Sequence, residues 1–375
     1  MANPRLRITH VIPQIGIGGT ETQLRHLVMA TPAGRAEHRI LFYSDSLDLQ
    51  GIQEYTRLGL PLSRVDRGRG GPPGFFLRLT RAIAAGRPDI VHCWLPSAAF
   101  WGRWAATLAG VQRIVLAIRN TMVELPRVLR VCRHLDGRRI RYLVNSTATA
   151  DAVARAVGVP RGRITVIWNG IDLKNDETPP AIRDTLLRDH GCPPGTRIVL
   201  SVGRLTEIKN HPMLLRIAAR ARGQVPVHFF VAGHGELERS LKDLARRLGV
   251  DDIVHFLSLR RDVPSLLRTA DVFCCTSRME GMPNSLLEAM AAGRAIVTTR
   301  FEGVEDLIEP GISARVVEPD DDAGAFEALR GLLEDRAAAA ALGAAARRTV
   351  EERFGMKRMV ESTLDYYDDI MQELA

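Results

Sequence analysis

The chain has 375 residues, 46% hydrophobic and 25% charged, with a mean hydropathy of −0.04. This is a globular composition, long enough for two cores, with no apolar run near the roughly 18 residues of a membrane span and no signal-peptide core at its start. Its net charge of +8 is uneven: residues 1–172 carry 24 arginines, no lysine and 11 acids, a net of +13 against −5 for the rest. No zinc-finger spacing, RNP-type signature or stacked aromatics accompany the basic half, so nucleic acid is not expected as a partner. An anionic acceptor or an anionic membrane surface fits it better, and a solvated surface fits it equally. Five cysteines, Cys93, Cys132, Cys192, Cys274 and Cys275, are odd in number and lack metal-ligand spacing, which suits a reducing cytoplasm.

In chain order, a candidate strand at 7–12 runs into Gly16-Ile17-Gly18-Gly19-Thr20-Glu21, which opens a helix. A dinucleotide fingerprint would need a third glycine where Glu21 stands, so a nicotinamide or flavin site is set aside, although Asp45 ends the next strand as a ribose-binding acid would. The turn reads as glycine backbone approaching a ligand, or as an ordinary tight turn. Strand 39–43 follows, then residues 64–74, whose arginines, glycines and prolines read as a mobile loop lining an acceptor channel. Strand 90–93 carries His92-Cys93-Trp94. His92 and Trp94 alternate with buried positions and either point into a cleft or are satisfied by backbone. Strands at 114–118, 142–145 and 164–167 complete the series. Between them, Arg127, Arg130 and Arg133 recur every three residues among apolar neighbours, as in a helix lying on a membrane or on its own sheet. Asn169-Gly170-Ile171-Asp172 reads as a hinge, because Asn-Gly favours positive φ.

A second series has strands at 198–202, 227–232, 253–256, 272–276, 295–298 and 314–317. The first leads into Gly203-Arg204-Leu205-Thr206-Glu207-Ile208-Lys209-Asn210-His211-Pro212. Only four lysines stand against 47 arginines in the chain, so a lysine in this loop is unlike its background. Arg204 as a planar fork and Lys209 as a point charge can grip a diphosphate; alone, they also read as a solvated pair. Gly233-His234-Gly235 again brings backbone close after a strand. Glu280 and Glu288 then stand eight residues apart around Gly281, Pro283 and an apolar helix start. Pro283 suits the first turn, and the free N–H groups there form an anion site. Asp320-Asp321-Asp322 resembles a metal-binding pair, but capping of the next helix explains it more simply.

Strands alternating with helices imply parallel sheets covered on both faces. The expectation is an α/β fold of two doubly wound, Rossmann-like domains facing across a cleft: 1–170, a linker at 171–196, 197–355, and a helix at 356–375 packing back on the first domain. Taken in order, the glycine turn ending Gly18-Gly19-Thr20-Glu21, Asn169-Gly170-Ile171-Asp172, Gly203-Arg204-Leu205 with Lys209-Asn210-His211, Gly233-His234-Gly235 and the Glu280–Glu288 segment resemble a retaining glycosyltransferase of the GT-B fold, glycosyltransferase family 4 (group 1). The Glu280–Glu288 segment is the most specific, and the resemblance covers nearly the whole chain.

The resemblance implies that the substrate is a nucleotide-diphosphate sugar, with no cofactor and no metal. Arg204, Lys209 and Glu280 would be catalytic. The donor diphosphate would rest on Arg204 and Lys209, with Gly18, Gly19 and Gly233 nearby. Backbone around Gly281, Met282, Asn284, Ser285 and Leu286 would hold phosphate and sugar, Glu280 the sugar hydroxyls and Glu288 the ribose. Leu259, Arg260 and Val263 would border the base, and Glu21, His92 and Trp94 would lie on the acceptor side. The chain departs from the family at His92-Cys93-Trp94, where many members have His-x-His, at Phe256-Leu257-Ser258 and at Gly311-Ile312-Ser313-Ala314.

The expected acceptor is a saccharide or lipid-linked saccharide, for a protein in the cytoplasm or peripheral on the inner face of the membrane. A GT-B nucleotide-sugar epimerase and a non-catalytic nucleotide-sugar binder are the alternatives. The intact charged set argues against the second.

Overall fold

The computed structural model describes residues 5–16, 18–44, 49–68, 70–119, 139–173 and 181–373. They form two compact units, 1–170 with 356–375, and 171–355. Asp45, Arg127, Arg130 and Arg133 lie outside the described residues, and with them the helix expected at 125–135.

The first unit contains β1 (Leu6–Ile12), α1 (Gly19–Ala30), β2 (Ala36–Phe42), α2 (Leu49–Arg57), β3 (Leu62–Arg64), α3 (Gly71–Ala85), β4 (Ile90–Trp94), α4 (Leu95–Leu108), β5 (Ile114–Ile118), β6 (Ile140–Val144), α5 (Thr147–Val157) and β7 (Ile164–Val166). Its strands pair in parallel in the order β3-β2-β1-β4-β5-β6-β7. β3, three residues at the sheet edge, escaped the sequence reading because so short a run carries no period. Both faces of the sheet are covered. Val91 and Cys93 of β4 join the core on one side, and Ile90 and Trp94 join it on the other.

The second unit contains α6 (Ala181–Asp189), β8 (Arg197–Val202), α7 (His211–Ala221), β9 (Val227–Ala232), α8 (Glu238–Arg247), β10 (Val254–Phe256), α9 (Val263–Thr269), β11 (Val272–Cys275), α10 (Asn284–Ala291), β12 (Ala295–Thr299), β13 (Arg315–Val317), α11 (Asp322–Glu334) and α12 (Arg336–Arg353). The parallel order is β10-β9-β8-β11-β12-β13. Cys274 and Cys275 are buried packing residues of β11.

The last helix, α13 (Met356–Gln372), belongs to the first unit. Arg113 of that unit donates to the carbonyls of Ile370 (3.1 Å) and Met371 (2.9 Å), and Arg35 pairs with Asp368 at 2.9 Å. The two Arg113 bonds satisfy carbonyls that a helix end leaves open.

Three local expectations are corrected. The stretch 171–196 holds α6, anchored to the second unit by Arg183, which donates to Asp271 (2.9 Å) and to the Thr196 carbonyl (3.1 Å). Its prolines and glycines hid a nine-residue helix. The stretch read as a mobile loop, 64–74, runs into α3. Gly70, in the left-handed region at φ 98°, precedes the helix, prolines occupy its first turn, and Arg78 donates to the Asp66 and Arg67 carbonyls. Asn169 and Gly170 do not adopt the positive φ of a hinge turn. Gly170 is required for another reason: a Cβ there would lie 2.8 Å from Met356 Cα. Gln23 clamps the same residue, donating to its carbonyl (3.0 Å) and accepting from its N–H (2.8 Å).

Candidate functional site

In an open parallel sheet, ligands bind beyond the carboxyl ends of the strands where the strand order reverses. In the second sheet that point lies between β8 and β11. The loop leaving β8 carries Arg204 and Lys209, and the loop leaving β11 carries Glu280. Two hydrogen bonds tie the loops together. The Arg278 N–H donates to the Ile208 carbonyl, and the Thr276 hydroxyl donates to the Lys209 carbonyl, both at 2.9 Å.

The outcome is an ion pair, Lys209 Nζ to Glu280 Oε1 at 2.5 Å, with side chains only 22% and 12% exposed. Burial by itself lowers the Lys209 pKa. The Glu280 carboxylate outweighs it, with help from Cys275, and holds the ammonium charged. An ammonium has three N–H donors. One lies on Glu280, so the others can meet an anion. Arg204 is exposed, and its guanidinium makes no hydrogen bond among the described residues. His211, buried at the start of α7, is pushed down to about 4 by burial and by the Lys209 charge, so it adds no competing positive charge.

Glycines let three loops lie backbone against backbone. Gly233, at φ 151°, donates to the Ser258 carbonyl at 2.8 Å, and a Cβ there would run into the Gly203 carbonyl. A Cβ on Gly235 would strike the Leu205 carbonyl in the same way. Beyond Ser258, Leu259 is exposed, Arg260 pairs with Asp262 at 2.6 Å, and Val263 opens α9.

The helix after Glu280 differs from expectation at its start. Pro283 is the extended N-cap of α10, with ψ 115°, rather than a residue of the first turn; its fixed φ suits either position. The Pro283 carbonyl accepts from the N–H groups of Leu286 (3.1 Å) and Leu287 (3.3 Å). Leu286, expected among the phosphate-binding donors, is therefore already engaged, whereas the Ser285 N–H has no partner among the described residues. Gly281 and Met282 are buried in the loop, and Asn284 opens the helix. Glu288, half-buried on α10, has its pKa pushed up to about 7 by burial.

The Asp320–Asp322 run is accounted for by arginines and a cap. Asp321 accepts from the Gly324 N–H (2.9 Å), Asp320 from Arg278 (2.9 Å) and Asn210 (3.2 Å), and Asp322 from Arg216 (3.1 Å) and Arg220 (3.0 Å). Asn210, at φ 49°, is the N-cap of α7 beside Lys209, so this network also holds the β8 loop. Sequence reading missed Thr276, Asn210 and Asp320 as supports. Their only signal was a short polar side chain at a strand end or helix cap.

In the first sheet the order reverses between β1 and β4. Gly18 is the N-cap of α1, followed by Gly19, and Glu21 sits three positions on, buried. The Glu21 carboxylate leans back over Gly18, where a Cβ would collide with it. This is the capping-box position, so glycine is needed to admit Glu21 as well as any ligand.

The orientation expected for His92 and Trp94 is corrected. They are 0% and 2% exposed and face the core under α13. His92 Nδ1 meets the Tyr367 hydroxyl at 2.6 Å, its ring stacks on Trp94 at 4.3 Å, and Trp94 Nε1 donates to His10 Nδ1 at 3.1 Å. His10 continues to His38 at 2.9 Å, and the Arg119 guanidinium covers the Trp94 ring at 5.3 Å. Burial holds His10 and His92 neutral. In a strand covered on both faces, polar alternation does not signal a wet face.

A family model described as Glycosyl transferases group 1 matches residues 182–349, and one described as Glycosyltransferase Family 4 matches residues 17–175. The chain is 30% identical over 317 residues to a D-inositol 3-phosphate glycosyltransferase of Geodermatophilus obscurus, covering 77% of this chain and 68% of that one. Identity is 29% over 310 residues to its namesake in Saccharomonospora viridis, covering 76% and 70%. Anabaena HepE, crystallised with UDP-glucose, has a TM-score of 0.86 at 20% identity, covering 97% of this chain and 100% of that one.

Proposed function

The chain belongs to the group 1, family 4 glycosyltransferases of GT-B fold, and from that premise we propose that it moves a hexosyl or N-acetylhexosaminyl unit from a UDP- or GDP-sugar, with retention of anomeric configuration, to a saccharide or lipid-linked saccharide acceptor. The observation that carries the reading is the Lys209–Glu280 pair at the switch point of the second sheet, beside the exposed Arg204.

A nucleoside diphosphate leaves easily once its developing charge is neutralised. Arg204, Lys209 and the α10 start supply that charge stabilisation, held in place before the donor arrives. Glu280 aligns the ammonium and faces the sugar hydroxyls, while Glu288 meets the ribose. In the transfer, the acceptor hydroxyl oxygen bonds to the anomeric carbon on the face the phosphate leaves. The bond from that carbon to the phosphate oxygen breaks, and the departing phosphate takes the hydroxyl proton. No carboxylate nucleophile is needed, unlike the paired acids of a retaining hydrolase. The cationic side chains carry the neutralisation, so the proposed reaction needs no metal and no cofactor.

The acceptor side falls to the first unit, through Glu21 and its Gly18-Gly19 turn. The net positive charge of residues 1–172 supports a phosphate-bearing acceptor or an anionic membrane surface. No described helix is long and apolar enough to cross a membrane.

The test is a thermal-shift screen of UDP-, GDP- and ADP-sugars, since bound ligand raises stability by mass action. One nucleotide class should stabilise the chain, and Lys209→Ala should weaken its binding by roughly 10–100-fold, the value of a charged hydrogen bond. Donor turnover in Lys209→Ala at the wild-type rate would end the proposal. Conversion of a nucleotide sugar with no acceptor present would select the epimerase instead.

A further inference from the structure

Three metal-ligating side chains meet in the second unit away from Lys209 and Glu280, which follow the carboxyl ends of β8 and β11. Cys192 follows α6, His228 is the second residue of β9, and His255 is the second residue of β10. They stand at the amino ends of strands whose carboxyl ends face the donor loops. Cys192 Sγ lies 3.2 Å from His228 Nδ1 and 3.9 Å from His255 Nε2, and the two nitrogens are 2.8 Å apart. All three residues are half-buried, and their ligand atoms all lie within 4.8 Å of one another.

Protons alone satisfy this triangle poorly. If His228 Nδ1 is an acceptor, its single in-plane lone pair faces both the thiol and His255. If it is a donor, its one N–H faces both acceptors. A cation bound by a thiolate and two neutral imidazoles uses all three lone pairs. Tetrahedral zinc, with Zn–S of about 2.3 Å and Zn–N of about 2.0–2.1 Å, sets S···N near ~3.5 Å and N···N near ~3.3 Å. The two sulfur–nitrogen distances bracket the first value, and a small ring rotation opens the nitrogen pair to the second.

His190 stands beside the triangle, its ring edge-on to His255 at 4.9 Å. Its Nδ1 lies 2.9 Å from the Leu186 carbonyl, which fixes the proton there and leaves Nε2 with its lone pair. Ligating histidines are commonly oriented by such a second partner.

We propose that Cys192, His228 and His255 bind a thiophilic transition-metal cation of the zinc class, with His190 or a water as fourth ligand. The site is structural. It fastens the segment entering β8 to β9 and to the edge strand β10, across 36 and 63 residues of sequence. Those separations are why spacing rules for zinc motifs passed over it: the parallel sheet, not a short loop, assembles the ligands. The site lies apart from the transfer machinery and stands or falls independently of the proposed reaction.

The test uses the full chain, stripped with a chelator and titrated with Zn²⁺ against a chromogenic competitor, then with Co²⁺ followed by visible absorption. One equivalent should bind per chain, and Co²⁺ should give a thiolate charge-transfer band with tetrahedral d–d intensity. Cys192→Ser should abolish the charge-transfer band, and His255→Gln should weaken Zn²⁺ by at least the ~10–100-fold lost on removing an outer-shell partner. Circular dichroism confirms that each variant is folded. Equal Zn²⁺ uptake by wild type and a folded Cys192→Ser/His255→Gln variant, or a charge-transfer band that survives Cys192→Ser, would overturn the proposal.

Discussion

Glu288→Gln isolates the cost of keeping a carboxylate on α10. Burial raises the Glu288 pKa from an ordinary 4.5 to about 7. A folded-state pKa above the unfolded value means that the native state holds the proton more tightly. The stability tied to that proton is complete below about pH 4.5 and is lost as pH rises through 7. At about 1.4 kcal/mol per unit, the gap is worth about 3 kcal/mol. For a domain of this size, 1 kcal/mol moves the melting midpoint by roughly 2–4 °C, so about 6–12 °C is at stake. Ligand-free wild type and Glu288→Gln are melted at pH 5 and pH 8. Between pH 5, where a little of this is already lost, and pH 8, the variant should gain on wild type by about 2.5 kcal/mol, roughly 5–10 °C, and it should lose affinity for the nucleotide sugar if Glu288 makes the proposed ribose contact. The midpoint difference between the two proteins is the readout. If it is the same at both pH values, Glu288 is not desolvated and the argument fails.

Two further substitutions test the geometry. Gly233→Ala must place a methyl on the Gly203 carbonyl at a φ of 151°, so it should lower stability by more than the ~1 kcal/mol of an average substitution. An unchanged denaturant midpoint would show that the β8 and β9 loops are not in contact. Tyr367→Phe leaves the His92 imidazole without its 2.6 Å partner in the core. Chemical denaturation should show a loss of about 1–3 kcal/mol, the cost of a buried polar atom left unsatisfied; a neutral result would mean that another group replaces the hydroxyl.

Much of the second unit was legible because its signals are local. β8 and β11 are predominantly apolar runs, and each is followed by a glycine or proline and a charged residue, so a strand, a loop and a helix start could be read within about 15 residues. The loops that carry Arg204, Lys209 and Glu280, and the helix that carries Glu288, were read that way. The first unit was harder to read. His92 and Trp94 show the same alternation whether they face ligand or core, and only α13, arriving from the end of the chain, decides that they are covered. Gly18 shows a subtler point. It was read as backbone approaching a ligand or as an ordinary tight turn, and neither reading foresaw that its missing Cβ makes room for Glu21 three residues on.

What the sequence by itself determined is the inventory: two series of strands and helices, the loops that carry charge, and the glycines that admit close approach. These follow from side-chain periodicity and backbone preference, which act over a few residues. Only the tertiary structure decided adjacency. Lys209 and Glu280 are 71 residues apart and meet because β11, rather than β9 or β10, fills the other side of β8. Cys192, His228 and His255 meet because β9 and β10 pair in one register. Strand order is set by which long-range pairing buries the most surface after loop closure, and that balance belongs to the folded whole.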